Sequence, residues 1–266
     1  MAGMLSYQHI FHAGNLADVH KHALMATALE YLTQKPKPLS YLETHSGRGV
    51  YQLDSPEAVK TGEARVGIEA VSNWFDKDHP YARALEQVRV QHGDATYAGS
   101  PAIASTLLRD IDKIQLAELH PRECGALKDA MAMHSVRVYE QDGFEMAQAL
   151  CPPTPRRGII LIDPSYEIKA DYAAIPKFIS KLHRKWNVGI VALWYPILTD
   201  NPHAPMLKAL EDLSLPKALR HEVRFPAARE GHRMVGSGMF FVNAPFGLQD
   251  ECDRLNAHFS GLGTPH

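Results

Sequence analysis

Cysteine is scarce in this chain. Cys124, Cys151 and Cys252 are the only three among 266 residues, they lie far apart, and no Cys-x-x-Cys pair exists. That excludes a disulfide framework and a cysteine-based zinc site, and the expectation is free thiols in a reducing, cytoplasmic setting. Long apolar runs are missing too. Nowhere do about 18 apolar residues follow one another, so no membrane span is expected. The opening Met1-Ala2-Gly3-Met4-Leu5 has no basic segment ahead of an apolar one and is not expected to act as a signal peptide. An excess of one charge is also absent. Twenty-eight Lys and Arg against thirty Asp and Glu leave a formal net charge of -2. No global field draws in a polyanion, and any contact with nucleic acid must come from a local basic patch. Internal repeats and low-complexity tracts are lacking.

What is present is an ordinary globular composition, 45% hydrophobic and 22% charged. A chain of this size buries a large core without staples, and one domain over residues 1–266 is expected. Short apolar runs alternate with helical patterns. Residues 39–43, 114–118, 136–140, 158–163 and 189–195 read as strands, with 221–225 and 239–243 as two closing strands. The run Gly158-Ile159-Ile160-Leu161-Ile162 is wholly apolar, as a strand covered on both faces should be. Helical patterns fall at 15–31, 100–109, 121–134, 144–150 and 172–185. Ser100 can cap the second of these, and Pro101 suits its first turn. The alternation predicts an α/β fold, a mostly parallel sheet with helices on both faces. Ligands then bind at the carboxyl ends of the strands, near the switch in strand order. Residues 53–99 break the rhythm. They are polar and helical, at 63–74 and 81–92, and read as an inserted helical lobe or, alternatively, as part of the ordinary helical layer.

Four strand ends carry polar residues. Glu43-Thr44-His45-Ser46-Gly47-Arg48-Gly49 is a turn with two glycines, which let backbone approach a ligand closely. It lacks the third glycine of a dinucleotide fingerprint. Glu118 ends the second strand, where a carboxylate can accept both hydroxyls of a ribose. Asp142 follows the third, where an acid can accept from an adenine amino group. Each acid alone reads as a solvated loop residue. Three at successive strand ends beside a glycine turn read as a nucleoside site. Asp163-Pro164-Ser165-Tyr166 ends the fourth strand. An adenine N6 lone pair is delocalised into the ring and is a poor nucleophile. The Asp163 carboxylate and the Pro164 carbonyl can accept both N6 hydrogens and favour a more pyramidal nitrogen. Pro164 stiffens the turn, and Tyr166 offers a stacking face for an extruded base. With a sulfonium methyl as the group transferred the leaving group is already good, so positioning and hydrogen bonding carry the catalysis and no metal is required. Taken by itself, this loop is equally well a plain turn from strand to helix.

The whole set of motifs resembles the bacterial N6-adenine methyltransferases of large-subunit (23S) ribosomal RNA, a family also known for a DNA-uptake annotation. The resemblance runs over nearly the whole chain. It is carried by Met4-Leu5-Ser6-Tyr7-Gln8-His9, the run from Phe11-His12-Ala13-Gly14-Asn15 to His20-Lys21-His22, Thr44-His45-Ser46-Gly47-Arg48-Gly49-Val50-Tyr51, and Gly99-Ser100-Pro101. Glu118-Leu119-His120-Pro121, Asp142-Gly143-Phe144, Ile162-Asp163-Pro164 and Ala192-Leu193-Trp194-Tyr195-Pro196 complete it. The resemblance implies a Rossmann-like class I S-adenosylmethionine-dependent methyltransferase fold with an inserted helical lobe. It implies a donor pocket of His22, His45, Ser100, Glu118, Asp142, Gly143 and Asp163, with S-adenosylhomocysteine as product. Asp163 would be catalytic, with Pro164 and Tyr166 beside it, and Tyr7 would touch the RNA. The substrate would be 23S ribosomal RNA, naked or partly assembled, and the enzyme a cytoplasmic monomer. The family usually carries a second proline where this chain has Ser165; the Pro164 carbonyl survives that change, so activity is expected to survive. DNA adenine or a protein amide are alternative targets for the same loop. A non-catalytic RNA-binding or assembly protein is the alternative of a different class.

Other features have plainer readings. His9, His12, His20 and His22 cluster, but no His-Glu-x-x-His spacing accompanies them, and no metal is expected. Arg156, Arg157, Arg184, Lys185, Arg220, Arg224, Arg229 and Arg233 are candidates for one RNA-facing surface. Residues 229–239 are glycine-rich and read either as a mobile loop over the target base or as a hairpin loop. Tyr7 could equally be a hydrophobic anchor. Trp74, Trp186 and Trp194 are expected in the core or between lobes.

Overall fold

The structure is a computed structural model and describes residues 7–229 and 231–263. Met4, Leu5 and Ser6 of the N-terminal motif therefore lie outside the described residues. The strands are β1 (Ser40–Glu43), β2 (Val50–Gln52), β3 (Thr96–Ala98), β4 (Lys113–Ala117), β5 (Val136–Tyr139), β6 (Gly158–Ile162), β7 (Ile190–Leu198), β8 (Leu219–Arg224) and β9 (Met234–Val242). The helices are α1 (Leu16–Thr33), α2 (Pro56–Thr61), α3 (Glu63–Val66), α4 (Ile68–Val71), α5 (Pro80–His92), α6 (Ser100–Leu107), α7 (Pro121–Ala130), α8 (Gly143–Leu150), α9 (Asp171–Lys185), α10 (Ala204–Asp212) and α11 (Leu248–Ser260). Seven strands form one sheet in the order β5-β4-β1-β6-β7-β9-β8. The first five in that order are parallel, and β9 runs antiparallel to both β7 and β8. The expected α/β sheet is thus present. Its order switches between β1 and β6, which opens a crevice at their carboxyl ends.

Alternation along each strand sends side chains to opposite faces. Tyr41, Leu116, Leu161, Ala192 and Phe241 pack on one face with α1, α5, α6 and α11. Leu42, Ile160, Ile162, Leu193 and Phe240 pack on the other with α8, α9 and α10. Helix α1 starts at Asn15, whose side chain accepts from the Asp18 N–H at 2.9 Å. It is buried on nearly every side, so it behaves as a core helix, and its charged members Asp18 and Lys21 must find partners inside. Ile68, Tyr81 and Val88, from the 53–99 segment, join the same core as α1. β2 and β3 bracket that segment as an antiparallel pair that the sequence reading missed.

Three local expectations change. The helix expected at 63–74 breaks at Gly67 into α3, α4 and a 3-10 turn over Ser72–Trp74. Ser100 does not cap α6: Gly99 takes that position, and the Ser100 hydroxyl turns to Glu43. The glycines of 229–239 are mostly not loop glycines, because β9 begins at Met234. A Cβ on Gly238 would sit 2.1 Å from the Tyr195 ring, so this glycine permits close strand packing. Trp186 is a core residue, Trp74 stacks on His258 of α11 at 4.9 Å, and Trp194 lies at the wall of the main cavity. Cys124, Cys151 and Cys252 are buried free thiols. Among the described residues no helix is long and apolar enough to cross a membrane.

Candidate active site

A cavity of about 380 Å³ opens at the carboxyl ends of β1, β4 and β6. The site residues nominated from the sequence all line it: Tyr7, His22, His45, Ser100, Glu118, Asp142, Gly143, Asp163, Pro164 and Tyr166. Tyr7 comes from the segment ahead of α1, and the others from α1, three strand ends and the start of two helices, which the parallel topology brings to one edge.

The glycine turn after β1 forms one wall. Gly47 and Gly49 have φ of 58° and 76°, a left-handed conformation that costs a residue with a Cβ about 1–2 kcal/mol. Glu118 clamps the turn, one carboxylate oxygen accepting from the Gly47 N–H and the other from the His120 N–H, both at 2.8 Å. Burial pushes its carboxyl pKa up. Asp142 caps α8, accepting from the Glu145 N–H at 2.9 Å. Gly143 follows, and a Cβ there would fall 1.8 Å from the Thr44 carbonyl oxygen. The start of α8 and the end of β1 can meet only at a glycine. His45 hydrogen-bonds Thr44 at 2.7 Å and meets Phe144 edge-on, and burial lowers its pKa to about 4. Beneath the turn Glu43 is fully buried between Tyr41 and Ser100, and burial raises its pKa to about 8.

The opposite wall was only partly legible. The Lys21 ammonium donates to Asp163 Oδ2 at 2.6 Å and contacts Asp18 Oδ1 at 3.1 Å. Burial alone would lower the Lys21 pKa, but Asp163 and Asp18 outweigh it and hold it above its ordinary value. Burial likewise pushes Asp18 up, and His9, Lys21 and His22 outweigh that and take it well below the usual carboxylate range. The polar chain continues outward. Asp18 Oδ2 meets His9 Nε2 at 2.8 Å, and His9 Nδ1 meets the Tyr7 hydroxyl at 2.7 Å. The Tyr7 ring stacks on His12 at 5.6 Å, and its N–H donates to Glu167 beside the Asp163 loop. The four N-terminal histidines therefore serve different partners: Asp18 for His9, Glu63 for His12, Ser237 and His221 for His20, and Tyr97 for His22.

Tyr166 sits at φ 58° and is 8% exposed. Its ring packs on Tyr172 at 4.5 Å, and its hydroxyl donates to the Trp194 carbonyl at 2.7 Å. The ring expected to stack on a base is thus largely covered. Lys21 and Asp18 were missed as site residues. Their signal was a charged pair three apart on a helix rich in Ala and Leu.

A nucleoside-bearing ligand fits this cavity. His22 Nε2 and Ser46 Oγ are buried polar atoms without a hydrogen-bond partner among the described residues, and both residues line it. The half-buried Glu118 and Asp142 carboxylates and the close backbone at Gly143 complete a cradle for ribose and base.

Comparison with known proteins bears on this site. Residues 36–261 match the family model described as "Ribosomal RNA large subunit methyltransferase D, RlmJ". The chain is 39% identical to the ribosomal RNA large subunit methyltransferase J of Escherichia coli (strain K12), over 99% of this chain and 97% of that one. It is 38% identical to the protein of the same name from Haemophilus influenzae, over 98% of this chain and 95% of that one. Protein LPL1258 from Legionella pneumophila has a similar crystal structure, with a TM-score of 0.83, 34% identity and 94% of each chain covered.

Proposed function

The chain belongs to the RlmJ family of ribosomal RNA large subunit methyltransferases, and from that premise we propose that it methylates the exocyclic N6 amine of an adenine in 23S ribosomal RNA. The fold is that of class I methyltransferases, and the cofactor is S-adenosylmethionine. When bound, the donor supplies an electrophilic methyl group on a good leaving group. The observation that carries the N6 reading is the Asp163-Pro164 turn, held at the end of β6 against the same cavity as Glu118 and Asp142.

In this reading Glu118 holds the donor ribose, Asp142 and Gly143 hold its adenine, and His22, His45 and Ser100 line the rest of the pocket. Lys21 fixes one oxygen of Asp163, leaving the other to accept from the target amine while the Pro164 carbonyl accepts its second hydrogen. Both acceptors draw electron density toward the nitrogen and fix its direction of attack. The amine loses one N–H proton in the net reaction, and that proton leaves through the open mouth of the cavity. Tyr7, at that mouth, contacts the RNA. The enzyme acts as a cytoplasmic monomer on naked or partly assembled RNA.

The test is direct. Labelled donor is incubated with unmodified 23S ribosomal RNA, and the RNA is digested to nucleosides. Label in N6-methyladenosine supports the proposal. Label in another nucleoside, or in DNA or protein in preference to RNA, rejects it.

A further inference from the structure

A second polar chain runs through the core behind the cavity, and in the proposed reaction none of its members touches the donor or the target amine. It begins at Trp194, whose indole N–H donates to Ser237 Oγ at 2.9 Å. Ser237 Oγ lies 2.8 Å from His20 Nδ1, His20 Nε2 lies 2.9 Å from His221 Nδ1, and His221 Nε2 lies 2.9 Å from Asn256 Oδ1. An indole nitrogen can only donate and the Asn256 carbonyl oxygen can only accept, and with both imidazoles neutral these two ends give the series one direction. Ser237 accepts from Trp194 and gives its own hydrogen to His20 Nδ1, the acceptor nitrogen of a neutral imidazole that donates from Nε2. His20 then donates from Nε2 to His221 Nδ1, and His221 donates from Nε2 to the Asn256 carbonyl. Every link is satisfied with both imidazoles neutral. Burial lowers the pKa of both, consistent with that state. Ser237 and His20 are fully buried and His221 nearly so. Three polar side chains in a core carry a desolvation cost that an apolar replacement would avoid.

What the chain holds is a corner of the site. The Trp194 ring lies under the Lys21 ammonium, 5.4 Å from its centroid. The Trp194 carbonyl anchors the Tyr166 hydroxyl, and the two rings are 6.1 Å apart. Lys21 in turn binds Asp163. His20 and Lys21 are adjacent on α1, so one helix turn carries both the support and the group supported.

We propose that Ser237, with the His20–His221 pair behind it, is a positioning residue for methyl transfer: it fixes the Trp194 indole, and through that ring sets Lys21 and Asp163. The proposal rests on the reading of Asp163 as the acceptor for the target amine. A dislodged indole leaves donor binding intact but lets the Asp163 carboxylate wander, which lowers the rate of the bound complex.

Four variants test it by single-turnover transfer at saturating donor and RNA, with donor affinity from calorimetry. Ser237→Ala, His20→Leu and Trp194→Phe should each lose roughly tenfold or more in rate, with donor affinity within about twofold of wild type. The double variant Ser237→Ala/Trp194→Phe should be no slower than the worse single variant, because both break one link. In parallel, the Trp194 indole N–H should exchange slowly with deuterium in the wild type and quickly in Ser237→Ala. Unchanged rates despite fast exchange, or losses that multiply in the double variant, overturn the proposal. Should Ser237→Ala or His20→Leu fail to fold, Trp194→Phe keeps an aromatic ring there without the N–H, and an unchanged rate in that variant overturns the proposal alone. The role of Asp163 itself is tested separately. Full activity in Asp163→Ala would remove Asp163 from the mechanism, whereas an inactive Asp163→Ala with unaffected Ser237 and Trp194 variants removes only the relay.

Discussion

Lys21 is the residue on which the proposed catalytic geometry depends most. It lies buried between two carboxylates, Asp18 and Asp163. Removing one partner of a buried ion pair leaves the other charges uncompensated, at a cost of about 3–5 kcal/mol. Lys21→Met should therefore lower the denaturant midpoint and abolish turnover together. A variant as stable as wild type would show that the pair is not buried in solution. Gly143 makes a different demand. Gly143→Ala places a methyl group where the Thr44 carbonyl stands, so backbone must move by more than an ångström. Such overpacking costs about 1–3 kcal/mol, and the donor's adenine cradle shifts with it. Calorimetry should find weaker donor binding and thermal unfolding a lower midpoint; unchanged donor affinity would remove this contact from the donor pocket. Much of this was readable in the residues themselves. An acid or a glycine at a strand end announces a site through its position. Lys21 and Asp18 do not, because a charge inside a helix looks like a solvated one until the helix is known to be buried on every side.

At the scale of elements, the end of β1 carries a titration coupled to folding. Glu43 is held with its pKa near 8, against 4.5 for an ordinary glutamate. A carboxyl raised in the folded state stabilises fully below the unfolded value, and that stability is lost as pH rises through the folded one. Glu43→Gln cannot titrate. The stability difference between wild type and Glu43→Gln should move against the wild type between pH 4.5 and pH 8, by on the order of a few kcal/mol. Urea unfolding at the two ends of that range measures it, and a pH-independent difference would mean Glu43 is ionised in the fold. The strands were legible because wholly apolar runs such as Gly158–Ile162 have few other places to go. The short β2–β3 pair was not, since three residues per strand carry no readable period. Gly236 and Gly238 misled for a physical reason: glycine marks a loop and a tight strand contact alike, and only the neighbours, the Val223 carbonyl for Gly236 and the Tyr195 ring for Gly238, distinguish them.

Over the whole molecule, the arginines divide by sheet edge. Arg156 and Arg157 precede β6 and Arg184 and Lys185 end α9, so they lie at the amino-terminal edge of the parallel strands, away from the cavity. Arg220, early in β8, lies toward that same edge and is paired with Glu211 and Glu222. Arg224 ends β8, and Arg229 and Arg233 lie in the following connection, whose His232 lines the cavity. These residues therefore do not share one edge of the sheet, because chain distance says nothing about which edge a loop returns to. Arg224→Gln and Arg229→Gln should each weaken RNA binding and lower the salt dependence by about one phosphate contact. Arg156→Gln and Arg184→Gln should change neither. Filter binding across a salt series separates the two edges, and equal effects from both would place RNA elsewhere.

Everything in this mechanism turns on Asp163, whose turn directs methyl transfer to an adenine amine. Single-turnover transfer to unmodified 23S ribosomal RNA, at donor concentrations that saturate each protein, compares wild type with Asp163→Ala most directly. The expected result is label in N6-methyladenosine with wild type, and a rate at least about 100-fold lower with the folded variant. Transfer by Asp163→Ala at the wild-type rate would remove Asp163 from the reaction.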